Sequence, residues 1–343
     1  MKPLFQASML NGPFEDPVLF VDFLFERRAL LFDVGSVRVL PTRKILRLTD
    51  IFVSHTHMDH FNDLDWVLRI CLGRPLSLRL YGPEGLIDRV EHKLAAYTWN
   101  LVHNYDTDLN LQVVQLQDGG RGRRACFRLQ TGFTREDEAE VRLSGGVLLR
   151  EPGFEVRAEI LDHEVPCLGF RVDEHRHVNI WKDRLEARGL RVGPWLRELK
   201  SAVLEGRPDS MALRASWKDG DRTIERELTL GELRRDVLHV TPGQKIAYVV
   251  DAGYTAANRD RIRSLAREVD TFFCEAAFLD EEAERALQRR HLTARQAGAL
   301  AREAGVKQLV PIHFSPRHSD QEQALRCEAS LAFEGRDRDG RDL

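Results

Sequence analysis

Four residues of the segment His55-Thr56-His57-Met58-Asp59-His60 carry side chains that bind metal ions or move protons. Imidazole with carboxylate and no thiolate is a borderline-to-hard donor set; it suits zinc, and manganese or iron would also be accepted. The apolar run before it, DIFVS at 50–54, reads as a buried strand. Alternate residues at a strand end point to one side, so His55 and His57 can converge on a single cation. Asp59 and His60 then face a second position as the chain turns into a helix expected over 62–72. Six residues cannot close two sites, so other segments must supply ligands. Three candidates stand at the ends of expected strands: His163 after FEVRAEIL, Asp251 after IAYVV and His313 after QLVPI. Asp251 has two oxygens and can bridge two cations. The isolated His92, His103, His175, His177 and His239 read as packing or surface residues.

The elements that must position these residues are short. Apolar runs at 18–25, 29–35, 50–55, 76–83, 111–117, 146–150, 154–161, 167–172, 246–253, 271–276 and 308–314 are rich in Val, Phe, Leu and Ile. Gly, Pro, Asp or His closes most of them, which is strand punctuation. Helical spacing appears at 62–72, 84–97, 183–203, 258–268 and 293–304. Strands dominate the first half, and strand and helix alternate in the second, so an α/β architecture of sheets covered by helices is expected. The stretch 178–241 is the most charged and least strand-like, and reads as an insertion within one domain of 1–335. A polar tail is expected at 336–343.

Bulk properties exclude several classes. A chain of 343 residues, 43% hydrophobic and 31% charged, has apolar material for a large core. A net charge of −3 gives no global basic field, so nucleic-acid binding would need a local patch. Five cysteines without CxxC spacing argue against a disulfide framework or a zinc knuckle. The start MKPLFQASMLNGPFEDP lacks a signal-peptide pattern, and no apolar run approaches a membrane span. A reduced, cytoplasmic, soluble protein with no membrane association is expected.

The segments HTHMDH (55–60), LDHEVPCLGFR (161–171), VVDAGYT (249–255), CEAAF (274–278), HLT (291–293) and HFSPRH (313–318) occur in that order. Together they resemble the metallo-β-lactamase superfamily, and within it the ribonuclease Z family of tRNA 3′-processing endonucleases. The motifs cover roughly residues 30–320. The resemblance implies an αβ/βα four-layer sandwich with a protruding arm insertion and a two-zinc centre at one edge. His55, His57 and His163 would hold one ion and Asp59, His60 and His313 the other, with Asp251 shared. His291 matches the family's accessory histidine near the leaving group, and Ser315 and Arg317 stand where phosphate contacts are expected. The segment 178–203 resembles the arm that grips the tRNA elbow, with Gly193-Pro194 as its Gly-Pro element. Its Lys182, Arg184, Arg188 and Arg191 offer backbone-phosphate contacts. The sequence departs from the family at 11–36, which lacks the usual Gly-Thr-Ser start, Pro-Lys-Arg-Asn-type loop and Asp-Cys-Gly-Glu segment. It departs again at Cys274-Glu275-Ala276-Ala277, where the family has His-Glu-Ala-Thr, and at His318, where an aromatic is usual.

Two zinc ions would turn a bridging water into hydroxide for in-line attack on phosphorus. Asp59 would orient or deprotonate that nucleophile, His291 would act as general acid, and Glu275 would orient His291 or another site histidine, or equally support the site from behind its ligands. Precursor tRNA is the RNA partner implied, and the chain would act as a homodimer. A hydrolase of small phosphodiesters such as cyclic nucleotides, or of other esters, is the alternative. A non-catalytic RNA-binding protein is less consistent with a complete ligand set.

Overall fold

The computed structural model describes residues 3–336 and 341. The tail expected at 336–343 therefore lies outside the described residues, apart from Arg336 and Arg341. Residues group into two compact units, one of Phe5–Leu148, Val156–Val172 and Lys245–Leu343, the other centred on Asp173–Gln244.

In the larger unit a nine-stranded sheet is built largely from successive strands, its middle four (Ala29–Phe32, Leu48–Phe52, Ser77–Pro83, Asn110–Gln117) running parallel. A six-stranded sheet has Lys245–Val249, Thr271–Glu275 and Leu309–Ile312 parallel along one side. Strands buried on both faces read as continuous apolar runs, which is why ALLF and TFFC were legible as strands. The sheets meet through aromatic rings: Phe170 lies 5.4 Å from Phe32 and 5.8 Å from Phe52. Helices Leu64–Cys71 and Leu86–Ala95 place Leu64, Val67, Leu86 and Val90 against the outer face of the first sheet. Helices Ala256–Leu265, Ala294–Glu303 and Glu322–Glu334 cover the second with Ile262, Leu300 and Leu325. The order helix, sheet, sheet, helix is the four-layer sandwich expected.

The smaller unit corrects one expectation. The stretch called least strand-like contains the strands Arg176–Ile180, Ala212–Asp219, Arg222–Thr229 and Leu238–Pro242. Charged side chains on the exposed face of the 212–229 hairpin hide its period: Leu213, Ala215 and Trp217 alternate inward, and Gly220 at φ 62° makes the two-residue turn. The helix expected over 183–203 is two, Lys182–Ala187 and Trp195–Leu204, broken at Gly189 and again at Gly193-Pro194. A Cβ on Gly193 would lie 2.3 Å from the Ser216 carbonyl oxygen, so this Gly-Pro step packs against the hairpin within the unit.

All five cysteines are free. Cys71, Cys167 and Cys274 are fully buried, and burial pushes the Cys71 thiol up to about 11. Only the thiolate is reactive. Iodoacetamide at pH 8 is thus expected to alkylate the exposed Cys327 well before these three; peptide mass mapping of native against denatured protein checks it.

Candidate metal centre

The strand Leu48–Phe52 ends three residues before His55, and backbone beyond it presents the cluster. His55 is buried, while His57 is extended (φ −65°, ψ 156°), exposed, and precedes the short helix Met58–Phe61. The two imidazoles come within 4.3 Å between ring centroids. A turn, rather than strand alternation itself, brings them together. Gly35 allows the helix to seat there: a Cβ on it would meet the Asp59 carbonyl oxygen at 2.0 Å.

The remaining candidates arrive from strand ends as expected. His163 follows Phe154–Asp162, Asp251 follows Lys245–Val249, and His313 follows Leu309–Ile312. Asp251 and His313 hold left-handed backbone, φ 51° and 54°. Asp and His tolerate that region better than most residues, and such strain collects at functional sites.

The side chains converge on Asp251. Its Oδ2 lies 3.1 Å from His55 Nε2, 3.0 Å from His60 Nε2 and 3.8 Å from His163 Nε2. Its Oδ1 lies 3.0 Å from His313 Nδ1 and 3.3 Å from His291 Nδ1. Asp59 Oδ2 stands 3.3 Å from His60 Nε2 and 3.5 Å from His313 Nε2. His55, His57, His163 and Asp251 form one group with a ligand atom each inside 4.8 Å, and Asp59, His60, Asp251 and His313 form another. Asp251, Glu275, His291 and His313 make a third overlapping set.

His55 Nε2, His60 Nε2, Asp251 Oδ1 and His313 Nδ1 are buried with no hydrogen-bond partner among the described residues. Each such atom costs about 1–3 kcal/mol unless something satisfies it. Four of them turned on one spot, from nitrogen and oxygen donors only, fit divalent cations of the zinc kind.

Hydrogen bonds behind the cluster fix which imidazole nitrogen faces it. His60 Nδ1 donates to Asp33 Oδ2 at 2.9 Å, and His163 Nδ1 donates to the Arg290 carbonyl at 2.8 Å. His55 Nδ1 donates to Ser54 Oγ at 3.1 Å, and that hydroxyl donates on to Asp33 Oδ2 at 2.9 Å. Asp33 also accepts from Tyr248 OH at 2.9 Å and Ser54 N at 2.7 Å. His291 Nδ1 donates to Glu275 Oε2 at 2.8 Å, while Glu275 Oε1 accepts from Ala252 N. For His55, His60 and His163 this leaves the Nε2 lone pair for the cluster, as ligating histidines require.

Burial lowers the pKa of His55 and His57, keeping them neutral and ready to ligate. For His60 and His313 burial acts downward as the largest single effect, but Asp251 together with Asp33 at His60, and with Asp59 and Glu275 at His313, raises both well above the ordinary imidazole value. Burial would raise Asp59 and Asp251, yet His313 and His60 hold both well below the usual carboxylate range. His291 is likewise disfavoured by burial but pushed up to about 10 by Glu275 and Asp251.

The cluster opens into a cleft of about 220 Å³ lined by His57, Asp59, Phe278, His291 and Ser315 among others. Ser315 is therefore at the site, but Arg317 is turned onto Glu282 at 3.0 Å and is not part of the lining. In the smaller unit Arg184 stacks on Trp181 at 3.6 Å, Arg188 pairs with Asp236 at 3.0 Å and Arg191 with Asp219 at 2.8 Å. Lys182 begins the helix Lys182–Ala187, exposed, and Pro194 sits immediately before Trp195–Leu204.

Comparison with known proteins agrees with this geometry. A ribonuclease Z from Deinococcus radiodurans is 28% identical over 335 residues, 96% of each chain. One from Thermobifida fusca is 37% identical over 213 residues, 61% of this chain and 59% of the relative. The crystal structure of the metallo-β-lactamase fold protein YhfI from Bacillus subtilis superposes with a TM-score of 0.54 at 15% identity, covering 97% of this chain and 94% of that one. This chain has the metallo-β-lactamase fold. Its sequence resembles ribonuclease Z along nearly its whole length, as the ordered motifs implied. No family model matches the chain. Within this fold the His/Asp groups are ones that could hold a metal ion. No helix among the described residues is long and apolar enough to cross a membrane.

Asp33, Ser54, Tyr248 and Arg290 were not singled out by sequence. The signal for Asp33 was present in Phe32-Asp33-Val34-Gly35: the stretch departs from the family's Asp-Cys-Gly-Glu, but keeps the aspartate and glycine that the site uses.

Proposed function

We propose that this chain is a ribonuclease Z-like, zinc-dependent phosphodiesterase that cuts RNA endonucleolytically at tRNA 3′ ends. One observation carries the reading: two four-residue ligand groups meet in a single buried carboxylate, Asp251. His55, His57, His163 and Asp251 would hold one zinc; Asp59, His60, His313 and Asp251 would hold the other. Bound there, the ions would act as Lewis acids toward a phosphodiester and make hydroxide available at neutral pH. The names and coverage of the ribonuclease Z relatives support RNA as the substrate.

The chain's own residues complete the chemistry. Asp59, kept ionised and partly open to the cleft, orients the attacking oxygen by accepting a hydrogen bond from it. Glu275 takes the Nδ1 proton of His291 in a hydrogen bond, so Nε2 carries the acidic proton for the departing ribose oxygen. Cations on Asp251 would weaken the field that raises His291 and bring its pKa down toward the working range. The Ser315 hydroxyl is placed to donate to a phosphate oxygen, and Arg317 would exchange Glu282 for phosphate. Residues 178–241 are an insertion within the 1–335 domain, and Lys182, Arg184, Arg188 and Arg191 grip the RNA backbone there, with Gly193 and Pro194 shaping the arm. The protein works in the cytoplasm as a homodimer.

His57 is the exposed member of its group, so its replacement burdens the fold least. Wild-type protein is expected to carry two zinc ions per chain and to cleave a 3′-extended tRNA. His57→Ala should lower zinc to about one per chain and cut the rate at least 100-fold, since even residues behind the ligands cost about 10–100-fold. Fewer than two metals in the wild type, or cleavage unaffected by the substitution, would overturn the reading.

A further inference from the structure

A second cavity, of about 340 Å³, lies in the larger unit outside the metal cluster. Two glycine turns form part of its wall, Asp118-Gly119-Gly120 and Ser144-Gly145-Gly146. All four glycines have positive φ, between 63° and 75°, and a Cβ on Gly119 or Gly145 would meet nothing within 4 Å. At Gly119 and Gly145 the turns show bare backbone that leaves room for a flat ligand, beside the side chains of Asp118 and Ser144. The rest of the lining carries opposite charges: Arg142, Arg261 and Glu159.

The cavity is tied to the metal cluster on two elements. Ala158, Glu159 and Ile160 stand on the strand that ends at Asp162, and His163 follows; three residues of strand span roughly 10 Å. Arg261 stands one turn along Ala256–Leu265 from Asn258 and donates to the Ile160 carbonyl at 2.6 Å. Buried Asn258 joins both elements to the Asp251 loop: its Oδ1 accepts from Asp162 N at 2.9 Å, and its Nδ2 donates to the Gly253 carbonyl at 2.8 Å. The elements that border this cavity are thus the ones that lead to His163 and, through Asn258, to the Asp251 loop.

We infer that this cavity is a nucleotide subsite selective for guanine, in which Glu159 accepts the base's N1–H and N2–H and Arg142 and Arg261 meet the adjoining phosphate. The inference rests on the RNA reading of the metal centre for its substrate class. Glu159 is half-buried and makes no hydrogen bond among the described residues, so its carboxylate has acceptors to offer. Burial raises its pKa against the opposing pull of Arg261, which makes the ionised group gain more from two aligned donors than an open carboxylate would. Guanine is the base whose pairing edge presents two adjacent N–H donors, and a carboxylate matches them with two parallel hydrogen bonds. Adenine offers one donor beside an acceptor, which a carboxylate repels. Arg142 is exposed and forms no ion pair among the described residues. Both guanidiniums suit a phosphate, and unstacked bases read on their edges are how single-stranded RNA is recognised. The volume falls at the lower end of ligand pockets, enough for one nucleotide.

Calorimetric titration of the zinc-loaded protein with guanosine, adenosine and uridine 5′-monophosphates tests this without turnover. The guanine nucleotide is expected to bind at least tenfold tighter than the other two. Glu159→Gln should bring guanine and adenine within about twofold, with an unchanged thermal melt as the control for folding. Arg142→Ala should weaken all three nucleotides together. Equal affinities in the wild type, or a guanine preference that survives Glu159→Gln, would overturn the subsite, as would inorganic phosphate binding as tightly as the guanine nucleotide. A guanine preference in a protein that fails to cleave RNA would sustain the subsite while the proposed activity fell.

Discussion

If the chain holds the two zinc ions proposed for it, replacing Asp251 by asparagine is expected to remove both and phosphodiesterase activity with them. Asparagine keeps the volume and tolerates the left-handed backbone at φ 51°, so the fold is spared the strain alanine would add. It removes the charge that faces His55 and His60 through Oδ2 and His313 and His291 through Oδ1. No other candidate ligand belongs to both four-residue groups built on the HTHMDH segment. Loss of His57 leaves one group whole; loss of the Asp251 charge weakens both. Zinc content should fall below one per chain, and cleavage should drop further than the 100-fold expected of His57→Ala. Thermal melts add a readout independent of activity. Ligands that bind only the native state stabilise it by RT ln(1 + [L]/Kd), about 2.7 kcal/mol at a hundred times Kd. Wild-type protein should therefore melt lower in chelator than in zinc, and Asp251→Asn should melt alike in both. A variant that still gains stability from zinc as the wild type does would show that the two groups do not depend on a shared carboxylate.

The ligand candidates were legible because metal chemistry leaves a dense local trace. HTHMDH places four donors in six residues, and His163, Asp251 and His313 each follow a run that reads as a strand. Parallel strands under helices on one side and a second sheet on the other carry no polar face, so LLF, IFV and YVV were unambiguous. The 212–229 hairpin was hidden for the opposite reason. Its outward face carries Arg, Lys and Glu between Leu213, Ala215 and Trp217, and the Lys218-Asp219-Gly220-Asp221 turn was the cue available to find it. What orients the ligands was least visible. Arg290 supports His163 from 127 residues away through a main-chain carbonyl, which any residue could provide. Tyr248 reaches Asp33 across 215 residues from inside an apolar strand, where its ring reads as core and its hydroxyl leaves no pattern.

Asp33→Ala is expected to cost stability and metal affinity at once, for separable reasons. The carboxylate is fully buried and accepts four hydrogen bonds, from Ser54 N, Ser54 Oγ, Tyr248 OH and His60 Nδ1. Alanine leaves those donors facing a void and holds φ 60° without a side chain that favours it. Removing one partner of a buried charged pair typically costs about 3–5 kcal/mol, so the urea midpoint should fall sharply. Asp33→Asn separates packing from orientation. It fills the same space and tolerates the backbone, so the stability loss should be smaller. Its amide can present one oxygen, and an NH2 toward His60 would oppose the Nδ1 proton that now leaves Nε2 free for the cluster. Turning that imidazole, or shifting its proton, should weaken zinc at the Asp59, His60 and His313 group by roughly 10–100-fold while the His55, His57 and His163 group holds its ion. Zinc titration should accordingly resolve one tight and one weakened equivalent. Two equally tight equivalents in Asp33→Asn would mean that Asp33 serves the packing of the two sheets and has no part in setting the His60 tautomer.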